Sequence, residues 1–455
     1  MNTKLWDNIE KFDLDNPISE YGFTTRLAHE NFWTKQFTET AIAEYRKFMY
    51  LAASSDWMVS PSAIVDTVWH QHLIFTQSYN DFCTVIGKQI QHIPSTHNRS
   101  EFEKFKLAKE RTTKLYNDVF GEQPKEIWDY ADMYDSLELP KAKLKIRAFV
   151  LIAILAFSVL FVPCYYLLRP LYEHINNPYF IVGFIAISIA TFLGLETFNR
   201  NYLASTMQQF KDVAFIKKLQ PFELVYLKTQ KLSNVIHGTI NQLIDNNVIV
   251  INSDNTIEHT LNLKASNIEE HQVLDTLHHL GTTPYPTLVN QLLAKPVFTN
   301  IANCMDALKK YYTKSQSFGK LFYSNFVMLA ILLMIGAIRL TTGVLRDKPF
   351  LQIFIVLLIL TTVIIGYLWR LTTLFCTQTI PNFYKQSVLP NTEDNFQWQY
   401  FLFGNAVLST SFVPLVNYVD RRMHLSSDGG VSSCGSSDGS SCGSSCSSCG
   451  GCGGD

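Results

Sequence analysis

Ala148-Phe149-Val150-Leu151-Ile152-Ala153-Ile154-Leu155-Ala156-Phe157-Ser158-Val159-Leu160-Phe161-Val162-Pro163-Cys164-Tyr165-Tyr166-Leu167-Leu168 carries no charge from end to end. About 20 such residues, coiled as a helix, cross the ~30 Å hydrocarbon layer of a bilayer. Three further apolar runs follow at 180–198, 322–338 and 350–369. Glu196 closes the second early, and the third is short unless Arg339 reaches the interface. A buried core helix is the competing reading of those two. The runs come as two pairs with short connections, which favours two transmembrane hairpins.

Working outward, the chain divides into 1–140, a hairpin at 148–198, a middle segment at 199–320, a second hairpin at 321–370, a juxtamembrane segment at 371–425, and a tail at 426–455. The expected fold class is a mainly α membrane protein. It comprises an all-α N-terminal domain, two transmembrane helical hairpins, a small α+β winged-helix-like middle domain and a disordered tail. Lys141, Lys143, Lys145 and Arg147 precede the first run. Arg200, Lys211, Lys217 and Lys218 open the middle segment, and Lys309, Lys310, Lys314 and Lys320 close it. Arg370, Lys385, Arg421 and Arg422 follow the fourth run, while Arg346 and Lys348 dissent in the second loop. Positive charge gathers on the cytoplasmic side. A multi-pass protein of the cytoplasmic (inner) membrane with both termini inside is therefore expected, with membrane lipid as its surroundings.

A net charge of −1 lacks the basic field of a nucleic-acid binder. The polar start has no signal-peptide order. No P-loop, GxSxG, HExxH or GxGxxG followed by an acid is present, so the common enzyme classes have no support and a non-enzymatic protein is favoured.

Residues 1–140 are rich in helix formers. Ser60-Pro61 reads as a helix start, with Asp66 and His70 four apart on one face and Trp69 beside them. The pattern Val65-Asp66-x-x-Trp69-His70, then Ile74-x-Thr76-x-x-Tyr79-x-x-Phe82-Cys83, then Gly87 and His92-x-Pro94, resembles the helical module of the glycine-rich domain-containing protein family of bacteria and plants. The resemblance covers about the first 130 residues and implies a fold rather than a reaction. His72 and Gln91 depart from bacterial members, which have Phe and a paired His there. Asp66, His70 and His92 are a candidate divalent-metal site for zinc or iron, with His72 or His97 as further donors. The alternative is that Asp66 takes a hydrogen bond and locks the helical hairpin. His70 and His72 are two apart and face different sides of a helix.

In the middle segment, Gln220-Pro221-Phe222-Glu223-Leu224 opens a helix, and Val235, Ile236, Ile240, Leu243 and Ile244 line one face of a second over 232–245. A two-stranded ribbon at 248–252 and 256–260 follows, then helices around 269–279, 286–293 and 299–314. The second helix offers Asn234, His237, Asn241 and Gln242 but neither Arg nor Lys for phosphates, so protein contact is favoured over DNA. The Pro221-x-Glu223-Leu224-x-Tyr226-Leu227 motif, the flanking apolar runs and the tail resemble a bacterial membrane-protein family whose members read P-x-E-L-A-Y-L before a Gly pair. Val225 replaces the Ala, and Lys228-Thr229-Gln230 replaces the Gly turn.

The tail is almost entirely Ser, Gly, Cys and Asp, too poor in apolar surface to order itself. Cys442, Cys446, Cys449 and Cys452 are spaced more closely than paired zinc knuckles, leaving soft-metal binding or azole-forming modification as alternatives. The run 401–419 reads as an interfacial helix or a fifth crossing. The leading functional expectation is a membrane-anchored scaffold whose modules bind protein partners, or a second copy of the chain. A metal-dependent enzyme or sensor comes next, and a transporter component is the weakest.

Overall fold

All four apolar runs are long helices, in which the backbone polar groups are satisfied within the segment. The structure is a computed structural model and describes residues 2–93, 101–260, 265–388 and 395–428. The long helices are Ile146–His174, Asn177–Phe210, Gln316–Val344 and Leu351–Gln386, each long and apolar enough to cross a membrane. They form two antiparallel hairpins, turning at 175–176 and 345–350.

Each helix is longer than its expected run, the fourth at its C-terminal end only. Glu196 does not close the second, because its carboxylate accepts both Arg370 Nη1 and Nη2 from the fourth helix at 3.1 and 3.0 Å. One turn on, Asn199 and Asn325 exchange amide hydrogen bonds at 3.0 and 2.7 Å, fully buried, and Tyr367 joins them at 2.8 Å. Arg339 sits inside the third helix. It donates to the carbonyls of Tyr172 and Ile175 at 2.5 and 2.8 Å, oxygens that the end of the first helix leaves unpaired. The third helix packs against each of the other three.

The first 140 residues are all-α among the described residues. The expected start at Ser60-Pro61 is corrected. The helix spans Ala63–Ile74, and Ser62 caps it by accepting the Val65 N–H at 3.2 Å. Two helices of the middle segment, Pro221–Thr229 and Leu232–Asp245, fall where expected. The ribbon of β1 (Ile249–Ile251) and β2 (Thr256–His259) is antiparallel, with Ile251 opposite Ile257. A strand not foreseen, β3 (Thr283–Pro284), pairs with β2 to complete a three-stranded sheet. Helices Ile268–Leu280, Tyr285–Leu292 and Pro296–Thr313 complete this part.

The run 401–419 is not one helix, and none of its pieces is among the helices long and apolar enough to cross a membrane. Helix Phe396–Phe403 stops at Gly404, whose φ of 60° favours a residue without Cβ, and Val413–Asp428 begins afresh. These pieces of 8 and 16 residues pack onto the middle segment. Tyr400 donates to Asn234 O at 3.0 Å, Ser409 N–H donates to Asn241 Oδ1 at 2.8 Å, and Phe412 lies against Tyr285. His237 and Asn241, read as a possible contact face, are fully buried.

A short strap joins the parts. Ala142 N–H donates to Lys314 O at 2.9 Å and Gln316 N–H to Pro140 O at 2.7 Å, setting the entrances of the first and third helices side by side. Both hairpin turns meet at the opposite end, where Asn177 Nδ2 donates to Pro349 O at 3.1 Å.

Gly336 of the third helix is crowded by side chains of the second and fourth. A Cβ there would stand 2.5 Å from Leu357 Cδ2 and 2.7 Å from Phe184 Cζ. Gly336→Leu is expected to lower the thermal midpoint of the detergent-purified chain, by an overpacking cost of about 1–3 kcal/mol. Gly366→Leu, where a Cβ meets nothing within 4 Å, should leave the midpoint unchanged.

Candidate metal centre

Asp66 and His70 stand one turn apart on the Ala63–Ile74 helix, beside Trp69 and on the side turned from its core residues Val65 and Val68. His92 comes to them from the far side of the next helix, Thr76–Ile86. That helix ends at Gly87, whose φ of 73° supplies the left-handed cap. Trp69 Nε1 donates to the Tyr79 hydroxyl at 3.1 Å, and Tyr79 donates in turn to the carbonyl of Ile90. Ile90 is thus pinned two residues before His92. The motif residues Trp69, Tyr79 and Gly87 are therefore what position His92.

The His92 ring stands edge-on to Trp69 and to His70, with centroids 4.7 and 4.3 Å away. Its Nε2 lies 3.0 Å from Asp66 Oδ1. His70 Nδ1 donates to the Asp66 carbonyl at 2.8 Å and lies 3.3 Å from Asp66 Oδ2. One donor atom from each of Asp66, His70 and His92 can be chosen so that all lie within 4.8 Å of one another. The His92 side chain is 14% exposed, Asp66 32% and His70 54%, so the cluster opens to one side. It opens into a groove of about 220 Å³ walled by Met58, Pro61, Ile93 and Phe105. Chemically the arrangement can lock the two helices by hydrogen bonds, or hold one cation through two imidazoles and a carboxylate.

His72 is placed elsewhere. It is fully buried among Phe12, Phe23, Tyr45, Tyr79 and Phe82, with Nδ1 at 2.8 Å from the Tyr45 hydroxyl and Nε2 at 3.2 Å from Ser78 Oγ. Burial, first, and then the nearby Arg46 charge push its pKa down to about 4. It belongs to the core, as its position two residues from His70 implies. His97, Pro94 and the tail residues Cys442, Cys446, Cys449 and Cys452 lie outside the described residues.

Two arrangements had no short-range signal. Glu44 is buried and accepts from Tyr116, Trp128 and Lys47, each at 2.8 Å, tying together distant parts of the first 140 residues. A cavity of about 570 Å³ lies where that part meets the middle segment, lined by Asp15, Lys35, Glu223 and Glu269 among others. Lys35 Nζ reaches both Glu269 oxygens at 3.0 Å, and its backbone N–H donates to Glu223 Oε1 at 3.4 Å. Glu223, the acid of the P-x-E-L motif, also caps its own helix by accepting Gln220 N–H at 2.7 Å. Burial raises its carboxyl to about 7.

The helical module that holds the three donors has known likenesses. Residues 9–109 match the family described as UCP032817-like. Over 91 residues the chain is 31% identical to glycine-rich domain-containing protein 2 of Arabidopsis thaliana. That stretch covers 19% of this chain and 12% of the relative, so the chain spans a small part of the relative's length. No solved structure matches.

His72 makes stability depend on pH. The unfolded chain takes up its proton near the ordinary value of about 6.5, the folded one only near 4. Folding stability should therefore be full above about 6.5 and fall as the pH drops towards 4, by something on the order of 3 kcal/mol. His72→Phe lowers stability at neutral pH by stranding the Tyr45 hydroxyl, but should flatten the acid slope. Thermal unfolding of both proteins between pH 7 and 4.5 measures the difference in slope.

Proposed function

We propose that the chain is a multi-pass protein of a cytoplasmic (inner) membrane, anchored by two helical hairpins and serving as a scaffold that presents its joined modules to protein partners on one face. The observation that carries this reading is the outward surface of the hairpins. Leu151, Leu155, Val159 and Leu167 of the first helix are exposed by 65–74%, and Leu358, Ile359 and Ile365 of the fourth by 59–64%. Water does not tolerate an apolar surface of that extent, whereas lipid does.

The scaffold part of the reading is supported by how the modules are tied. Tyr134 of the N-terminal part donates to Cys304 O at 2.9 Å, Asn300 donates to Trp33 O at 3.2 Å, and Lys295 pairs with Glu20 at 2.6 Å. These contacts, with those of Lys35, make a platform of fixed geometry next to the helix entrances. Lys141, Lys143, Lys145, Lys314 and Lys320 cluster at those entrances, which supports placing the platform on the cytoplasmic side.

Cysteine accessibility tests anchoring and orientation together, in a chain whose tail cysteines are replaced by serine. The protein should stay in the membrane pellet after alkaline carbonate. Asn176→Cys, in the first hairpin turn, should react with a membrane-impermeant maleimide on intact cells, and Asp7→Cys only after permeabilisation. Release into the soluble fraction, or labelling of Asp7→Cys from outside, overturns the reading.

A further inference from the structure

We propose that Asp66, His70 and His92 bind one divalent first-row transition-metal ion, zinc or iron(II), and leave a coordination position open towards the groove. This does not rest on the membrane reading. Three observations converge on it. The donors come from two separate elements, yet one atom of each lies within 4.8 Å of the others. Ligands at about 2.0–2.2 Å around a tetrahedral ion are separated by about 3.4 Å, so closing onto an ion needs rotamer adjustment and no backbone rearrangement. The composition of two imidazoles and one carboxylate suits zinc or iron(II), and a cage built for calcium or magnesium would be all oxygen.

The surroundings meet the second requirement of a metal site, that its ligands be held from behind. The Asp66 carbonyl at 2.8 Å accepts from His70 Nδ1, which fixes the tautomer and leaves the lone pair on Nε2. The His92 ring is braced against Trp69, itself locked through Tyr79 to Ile90. His92 Nε2 donates to Asp66 Oδ1. On binding, the neutral ring would carry its proton on Nδ1 and offer the Nε2 lone pair to the ion. A purely structural zinc site has four protein ligands in a closed shell. Here His70 is 54% exposed and the open side meets a groove of about 220 Å³ with Met58, Ile93 and Phe105 on its walls. Such an opening admits water or a small anionic oxygen or nitrogen donor as an exchangeable ligand.

Cobalt(II) is the probe, because its visible bands report coordination directly. The full-length, untagged protein in detergent is used, with Cys434, Cys442, Cys446, Cys449 and Cys452 changed to Ser so that tail thiols cannot contribute. One equivalent of cobalt should give visible d–d bands without thiolate charge transfer, and zinc should displace it. The bands should shift on adding azide, which enters the open position. Asp66→Asn and His92→Ala should abolish the signal. So should His70→Ala, the decisive variant, since it removes a half-exposed side chain and keeps the Asp66–His92 hydrogen bond that holds the helices. His279→Ala, an exposed histidine outside the cluster, should change nothing. Binding that survives His70→Ala in a protein of unchanged circular dichroism, or absence of one-to-one binding in the parent, overturns the site. A spectrum unmoved by azide overturns the open position. Anaerobic competition between iron(II) and zinc then decides the ion, and a preference for neither over magnesium overturns the assignment.

Discussion

Backbone pairing between 140–142 and 314–316 governs how the parts of this chain are arranged. Residues 140–142 end the N-terminal part and 314–316 end the middle segment, so two hydrogen bonds between them bring together regions more than 170 positions apart. Each bridged segment is followed within a few residues by a long apolar helix. The strap therefore fixes where the first and third helices start and makes them neighbours. Because both hairpins are short, the second and fourth helices must return to the same end. The polar parts gather there, and both turns gather at the other.

The same constraint explains why polar groups inside the bundle lie where they do. Asn199, Asn325 and Tyr367 satisfy one another near the strap end, and Arg339 finds carbonyls at the turn end. Between them the helices meet through Gly336 and apolar side chains. An amide or guanidinium in an apolar layer costs several kcal/mol unless paired. Pairing near the ends leaves the middle of the outward surface free of charge, the condition for a lipid-facing bundle.

In the N-terminal part, one line of contacts serves both stability and the candidate centre. Trp69, Tyr79 and Ile90 belong to the core, and through them the core dictates the position of His92. Asp66 and His70 lie next to Trp69 on the outer side of the same helix. The metal reading and the helix-lock reading thus share residues, and differ in whether a proton or an ion lies between Asp66 and His92.

Much of this was determined by the sequence alone. Apolar runs of sufficient length predicted the four helices and their pairing, since in a bilayer a lone segment satisfies its backbone only as a helix. The 3.6-residue period placed 232–245, put Asp66 with His70, and turned His72 away from them. What the tertiary structure decided depends on contacts between residues far apart in the chain. Glu196 continues a helix because Arg370 neutralises it from a neighbour 174 positions away. The run 401–419 packs on the middle segment because Tyr400 and Phe412 find Asn234 and Tyr285 there. Thr283–Pro284 becomes a strand only because β2 offers an edge. His92 joins Asp66 only through the chain reversal at Gly87 and the Tyr79 tether. Local periodicity carries information about a residue's own helix face; the partner that completes a charge, an edge or a ligand set is supplied by the fold.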